Sequence, residues 1–366
     1  MKKILNLVLI GMLLASLALG LGACDSKTSE NPGMTVKYIN GQYTLTKYVQ
    51  EENVTELTVD KSADGKQITA IKAGAFDGNT AIKKITVSAG VTEIAAGAFK
   101  RMEALEEITL PFVGAEKENV NAQRLFGYVF GTDSYDEGVS VTQSYNASSS
   151  ETYYFPRTLT KVTIVGGADY TVPAYAFYNC SNIKELVITD ASAIGDSAFY
   201  NCSYLTAMEI PANVEKLGAN AFVGCNRLKS VTFAENSKLT TVGNAAFKNT
   251  KLSTIALPNG VTTLGENAFE GSNIATISLP SALTEIPYYA FYGCKRLTTV
   301  TMNGSALTKI GEAAFQGCEQ LTEVGVLPSS LKTVAAYAFA DCDALNAASK
   351  AAISAVESVS EFVFGY

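Results

Sequence analysis

Residues 252–272 read LSTIALPNGVTTLGENAFEGS, three apolar clusters parted by turn residues. The first, Leu252, Ile255 and Leu257, alternates at its end like a half-buried strand, and Pro258 then stops it by withholding an N–H. The second is Val261 with Leu264, after which Gly265 is expected to allow a bend into the third, Ala268-Phe269. The preceding unit repeats the plan with Leu228, Val231 and Phe233, then Leu239, Val242 and Gly243, then Ala246-Phe247. Across the chain Ala-Phe occurs ten times, with Phe at 76, 99, 177, 199, 222, 247, 269, 291, 315 and 339. Apart from one gap of 78, the intervals are 22 to 25 residues, the period of a solenoid with one supersecondary unit per turn.

No such unit can bury its own Leu, Val, Ile and Phe. Stability must come from neighbours stacked at the strand spacing of about 4.8 Å, so the stack is expected to behave as one cooperative body. Phe at the corner puts a large ring into the axis of each turn, and Ala beside it leaves room for the backbone.

These residues resemble the leucine-rich repeats of BspA-like bacterial surface proteins, whose units carry L-x-x-I-x-L-P, then V-x-x-I-G-x-x-A-F-x-x-C. The resemblance runs from about Ile68 to Cys342. It implies an α/β repeat fold: a curved right-handed leucine-rich-repeat solenoid with a parallel sheet on one face. It also implies export, display at the cell surface and adhesive or host-protein-binding roles. The chain departs from the pattern at Asn79, Met102, Thr250 and Ser272, which stand where the family has Cys.

The chain has 366 residues, 47% apolar and 17% charged, without His or Trp. Lack of His removes Ser-His-Asp and Cys-His nucleophiles, imidazole bases and His-ligated metals, so an enzyme would have to rest on carboxylates, Lys or Tyr. Lys and Arg number 28 against 35 Asp and Glu; without Lys2 and Lys3 the net charge is (28 − 2) − 35 = −9. An acidic chain lacking a basic run repels phosphate backbones, which excludes nucleic acid as a natural partner.

Lys2, Lys3 and the apolar run from Ile4 to Leu21 have the form of a secretory signal, although the run is long enough to cross a bilayer if uncleaved. Leu21-Gly22-Ala23-Cys24 resembles the lipobox of bacterial lipoproteins, which implies cleavage before Cys24 and lipidation of its thiol. Residues 1–23 are therefore expected to be a signal peptide. Cys24 and the polar segment DSKTSENPG, Asp25 to Gly33, form an acylated tether that holds the body to the membrane on its extracellular side.

The other six cysteines, Cys180, Cys202, Cys225, Cys294, Cys318 and Cys342, each follow an Ala-Phe by three residues. They fall in two runs of three, so pairing within a run leaves one over, and parallel stacking aims the side chains alike. A ladder of buried free thiols acting as small hydrophobes is expected. No C-x₂₋₄-C pair exists to suggest zinc, and no cofactor is expected.

Residues 34–67 are expected to form a β cap, with Asn40-Gly41 as a hairpin turn and a strand near Val54 to Val59. The solenoid then occupies 68–342. Residues 343–366 are expected to close it with a helix whose apolar face is Leu345, Ala348, Ala352, Val356 and Val359. Between Pro111 and Pro156 the period breaks in an aromatic-rich insertion, expected to be a surface excursion packed on its own core or, alternatively, a binding loop. Its Phe126-Gly127-Tyr128-Val129-Phe130-Gly131 resembles a segment that recurs in BspA-like chains. Asp133, Asp136 and Glu137 match no calcium loop and are expected to be solvated.

On the sheet face the outward positions, among them Glu107, Thr109, Ser230, Thr232, Thr276, Ser278, Thr299 and Thr301, are small or polar. Candidate binding residues are Tyr128, Tyr135, Tyr153 and Tyr154 in the insertion and Tyr178, Tyr200 and Tyr292, each just after a corner Phe. A monomeric, noncatalytic surface lipoprotein binding an extracellular protein or glycan is the expected function. The alternatives are an envelope-assembly scaffold for a partner of the same cell and, less favoured, a glycosidase built on carboxylates such as Glu106-Glu107.

Overall fold

Alternating apolar residues turn the first cluster of each unit into a short parallel strand. The structure, a computed structural model, describes residues 33–302 and 306–365; the signal segment and Cys24 lie outside them. Glu56–Val59, Lys84–Val87, Glu107–Leu110, Lys161–Gly166 and Glu185–Asp190 form one five-stranded parallel sheet. The ladder continues through Ala207–Ile210 on Ser230–Phe233 and Thr276–Ser278 on Thr299–Thr301. Inward residues such as Ile85, Ile108, Val162 and Val300 are fully buried. On its outer face the register aligns Glu56, Lys84, Glu107, Lys161 and Glu185 in a row of alternating charge, with Lys161 Nζ 3.2 Å from Glu185 and 3.9 Å from Glu107.

The second cluster makes a second parallel ladder of two-residue strands, including Thr171–Val172, Ala193–Ile194, Lys216–Leu217, Thr241–Val242 and Thr263–Leu264. The glycine that follows the last four, Gly195, Gly218, Gly243 and Gly265, is not there to bend the chain. A Cβ on Gly218 would lie 2.4 Å from the Gly195 carbonyl carbon, and one on Gly265 would lie 2.3 Å from Asn244 N, so the coils approach too closely there for any side chain.

The third side is the Ala-Phe corner. Its N–H groups bond to the next coil, as Phe177 N to Ala198 O at 2.7 Å and Phe222 N to Ala246 O at 2.9 Å. The rings form a buried column, with centroids 5.1–5.8 Å apart from Phe177 through to Phe339. Helix is nearly absent, unlike the expected α/β repeat, because the residues two before and two after the corner Phe are left-handed. Around Phe222 these are Asn220 (φ 56°) and Gly224 (φ 77°). Helical backbone cannot pass through such positions. Among the described residues Ala347–Ser354 is the one α-helix.

The six register-locked thiols are buried and free. They do more than fill space. Cys202 Sγ donates to Phe177 O at 3.2 Å and Cys225 Sγ to Phe199 O at 3.1 Å, tying each corner to the coil before it. Where Thr250 replaces Cys, its Oγ1 donates to Phe247 O at 2.9 Å.

Residues 111–156 do not close a core of their own. The first ladder runs on unbroken beneath them, with Thr109 paired to Thr163. Phe99 N bonds Val129 O at 2.9 Å, so Val129-Phe130 takes the place of an Ala-Phe corner, and the Phe126 ring packs tilted against Phe177 with centroids 5.0 Å apart. What projects is the antiparallel hairpin Gly138–Ser144 and Ser150–Pro156. Gln143 pins it: Oε1 accepts from Gly127 N at 2.7 Å and Nε2 donates to Ala176 O at 3.2 Å, with the side chain fully buried.

At the N-terminal end the hairpin Met34–Ile39 and Gln42–Tyr48 turns at Asn40-Gly41, both with positive φ, and pairs with Ala70–Ile71. Tyr48 extends the aromatic column, 5.6 Å from Phe76. At the other end the helix is capped by Asn346 and buries Ser349 and Ile353, while Ala348 and Ala352 face outward. Val359 belongs to a strand, Ser358–Val359, that extends the second ladder.

Candidate functional site

The solenoid interior is filled, but where the insertion meets the first two complete corners it leaves an open trough of about 600 Å³. Its floor is backbone at Gly74, Gly97 and Gly131, drawn together by bonds from Gly74 N to Gly97 O (3.1 Å) and Gly97 N to Tyr128 O (2.9 Å). One wall comes from the insertion: Tyr128, Tyr153 and Glu151. The other is charged. Lys100 Nζ stands 2.9 Å from Asp133 and 3.6 Å from Asp77, and Arg101 grips both Asp77 oxygens at 2.7 Å.

These contacts set the electrostatics. Hydrogen bonds from Arg101 hold Asp77 below its ordinary carboxylate value, helped by Lys100. The bond to Asp133 chiefly raises Lys100, so the cation stays charged. Burial pushes the Tyr153 phenol well above its usual value, and the Glu151 charge adds to it. Tyr153 therefore stays a neutral hydroxyl-bearing ring.

Of the residues expected from sequence, only Tyr128 and Tyr153 meet here. Tyr135 and Tyr154 are half-buried outside the trough lining, Tyr135 with its phenol pushed up by burial. Tyr178 and Tyr200 stack with centroids 4.8 Å apart and planes 4° apart, so they cover each other's faces. Tyr292 lies in a separate cluster, 4.6 Å from the Tyr289 ring. A smaller cavity of about 290 Å³ beside the insertion is lined by Arg124, whose guanidinium sits 5.7 Å from the Tyr175 ring centroid.

Sequence reasoning missed Gly74, Gly97, Asp77 and Lys100. Their signal was available only by comparing coils, since glycine takes a corner position that later coils fill. Asp133 is engaged with Lys100 and Glu137 with Arg157 at 3.6 Å, as solvated charges are. Among the described residues no three Cys, Asp or Glu side chains converge as metal ligands would, and no helix is long and apolar enough to cross a membrane.

Three solved structures are similar to this chain over most of their length. A leucine-rich repeat protein from Bacteroides ovatus is 19% identical over 87% of this chain and 93% of its own, with a TM-score of 0.40. One from Eubacterium ventriosum is 21% identical over 92% and 93%, with a TM-score of 0.39. A leucine rich cell surface protein from Faecalibacterium prausnitzii is 18% identical over 90% and 93%, with a TM-score of 0.34. No curated protein matches significantly. The BspA type Leucine rich repeat region matches in six copies over residues 48–168, 146–274 and 235–346, so the chain belongs to the BspA-type leucine-rich repeat family.

Proposed function

We propose that this is a noncatalytic binding module of the cell surface, held to the membrane by lipid on Cys24 and contacting an extracellular protein or glycan. The observation that carries the reading is the trough: a solenoid whose coils are otherwise filled opens a polar, aromatic-walled cavity where its period is interrupted. The membership of the repeat family supports a binding role, and the lipobox-like Leu21-Gly22-Ala23-Cys24 supports the anchor. The phenol of Tyr153 is held neutral and Lys100 is tied to two carboxylates, so neither is poised as a nucleophile, which supports the noncatalytic reading.

Two measurements test it together. The full-length protein is expected to remain with detergent-extractable membranes, and Cys24→Ala to release it into the soluble fraction. The wild-type protein in detergent is expected to retain at least one member of an array of extracellular-matrix proteins and glycans. An empty array would overturn the binding reading, and membrane retention of Cys24→Ala would overturn the anchor.

A further inference from the structure

The residue two before the corner Phe is left-handed in coil after coil, and its identity varies. It is Tyr175, Ser197, Asn220, Ala245, Asn267, Tyr289, Ala313 and Tyr337 in the later coils, with φ between 52° and 63°. In the first two it is Gly74 and Gly97, at φ 67° and 63°. Packing does not require glycine there. A Cβ on Gly74 would meet nothing nearer than 3.7 Å, and one on Gly97 nothing nearer than 3.6 Å. Nor does backbone conformation, since eight coils hold other residues at the same φ. What the two glycines do is leave the floor of the trough bare where Tyr128, Tyr153 and Glu151 rise beside it.

The chemistry of the walls selects the occupant. Lys100 already occupies the space between Asp77 and Asp133, so a second cation would meet a charge of its own sign. Asp133 and Glu151 oppose an anion. A peptide backbone would need unpaired amides, but the floor amides Gly74 N and Gly97 N are spent on neighbouring coils. A neutral ligand rich in hydroxyls fits all of these: its hydroxyls donate to Asp133 and Glu151, accept from Lys100, and its C–H face lies against the half-buried Tyr128, since Tyr153 is itself buried. The volume of about 600 Å³ falls inside the roughly 300–1,000 Å³ of small-ligand sites.

Resting on the surface-binding reading, we infer that the trough floored by Gly74 and Gly97 is a subsite for a neutral glycan segment. The full-length protein in detergent micelles would be titrated calorimetrically with neutral tetrasaccharides of the cello-, xylo-, manno-, galacto-, malto- and chito- series. At least one is expected to bind with Kd below about 1 mM, and Gly97→Asn to weaken it about tenfold or more. Asn220 and Asn267 occupy the same position elsewhere, so this variant is expected to melt as the wild type does. Lys251→Ala, exposed and outside the trough, is expected to bind unchanged. Equal binding by Gly97→Asn, or preference for an oligolysine peptide, would overturn the inference. If no tetrasaccharide binds while a matrix protein is still captured, the glycan subsite falls and the surface-binding reading stands; if nothing is captured, both fall.

Discussion

Cys294 places its Sγ 3.1 Å from the carbonyl oxygen of Phe269, one coil earlier, and Cys318 repeats the contact to Phe291 at 3.2 Å. The cysteine column is therefore a column of donors. Five of the six thiols, Cys202, Cys225, Cys294, Cys318 and Cys342, answer the corner carbonyl of the preceding coil, while Cys180 accepts from Gln143 Nε2 at 3.5 Å. Phe269 O also accepts from Ser272 N at 3.0 Å, so Cys294→Ala removes one of its two donors, at an expected cost of about 0.5–1.5 kcal/mol. Cys294→Ser keeps an O–H that can donate to Phe269 O and is expected to lose less. Urea midpoints of the two variants decide it, and equal losses would mean that the thiol acts by volume alone.

Phe222 sits between Phe199 at 5.1 Å and Phe247 at 5.3 Å and is fully buried. Phe222→Ala opens a cavity between two rings that are fixed to their own coils, so relaxation is limited. The expected loss is about 3–5 kcal/mol. Calorimetry is expected to show one transition moved down in temperature. Two separated transitions would mean that the halves fold independently.

Spacing alone exposed the repeat, because a corner Phe every 22 to 25 residues leaves a mark that no other residue in the unit blurs. The split corner was hidden for the same reason: Val129-Phe130 has no Ala, and Phe126 enters the column from a short 3-10 turn. The C-terminal helix spans Ala347–Ser354, and its buried face falls one residue later than the expected apolar face. Asn346 caps it, and docking then selects Ser349 and Ile353, whose Oγ and side chain reach the preceding coil, over Ala348 and Ala352. The trough was illegible because its floor is defined by what Gly74 and Gly97 lack, and a missing side chain has meaning only once the coils are superposed.

Alkaline pH is expected to weaken the fold in a way set by these thiols. Burial pushes Cys225 from 9.0 up to about 12 and Cys294 up to about 11. Below pH 9 folded and unfolded chains hold the same thiol protons, and this contribution to stability is complete. As pH rises from 9 towards 11 to 12 only the unfolded chain releases them, so stability falls by about 1.4 kcal/mol per pH unit for each thiol fully affected. Urea midpoints measured from neutral pH upward are expected to be flat and then to drop. A flat profile beyond pH 10 would show the thiols to be solvated.

Gln143 couples the hairpin to the column. Replacing it with Leu strands Gly127 N–H, at about 1–3 kcal/mol, and removes one of two donors to Ala176 O, which keeps its bond from Phe126 N at 2.8 Å. The hairpin carries Glu151 and Tyr153, so the wall of the trough should loosen with it. Amide exchange is expected to accelerate across 138–156 and hardly at all at Thr263–Leu264, four strands along the second ladder from Thr171–Val172. Uniform acceleration would mean that the hairpin and the solenoid open as one unit.

Truncation before Leu345 tests the last coil. The segment removed supplies the strand Ser358–Val359 on Thr333–Val334, the Val363 carbonyl that accepts from Phe339 N at 2.9 Å, and the fully buried Ile353. Without it the second ladder ends in unpaired N–H and C=O groups beside the exposed face of the Phe339 ring, a surface shaped to accept another coil. Another copy of the same chain offers one. Light scattering is expected to show concentration-dependent association of the truncated protein, with its circular dichroism largely preserved because the remaining coils keep their neighbours. A truncated protein that stays monomeric and melts as the full chain does would mean that the coil ending at Phe339 needs no cover, and that the C-terminal helix serves something other than closure.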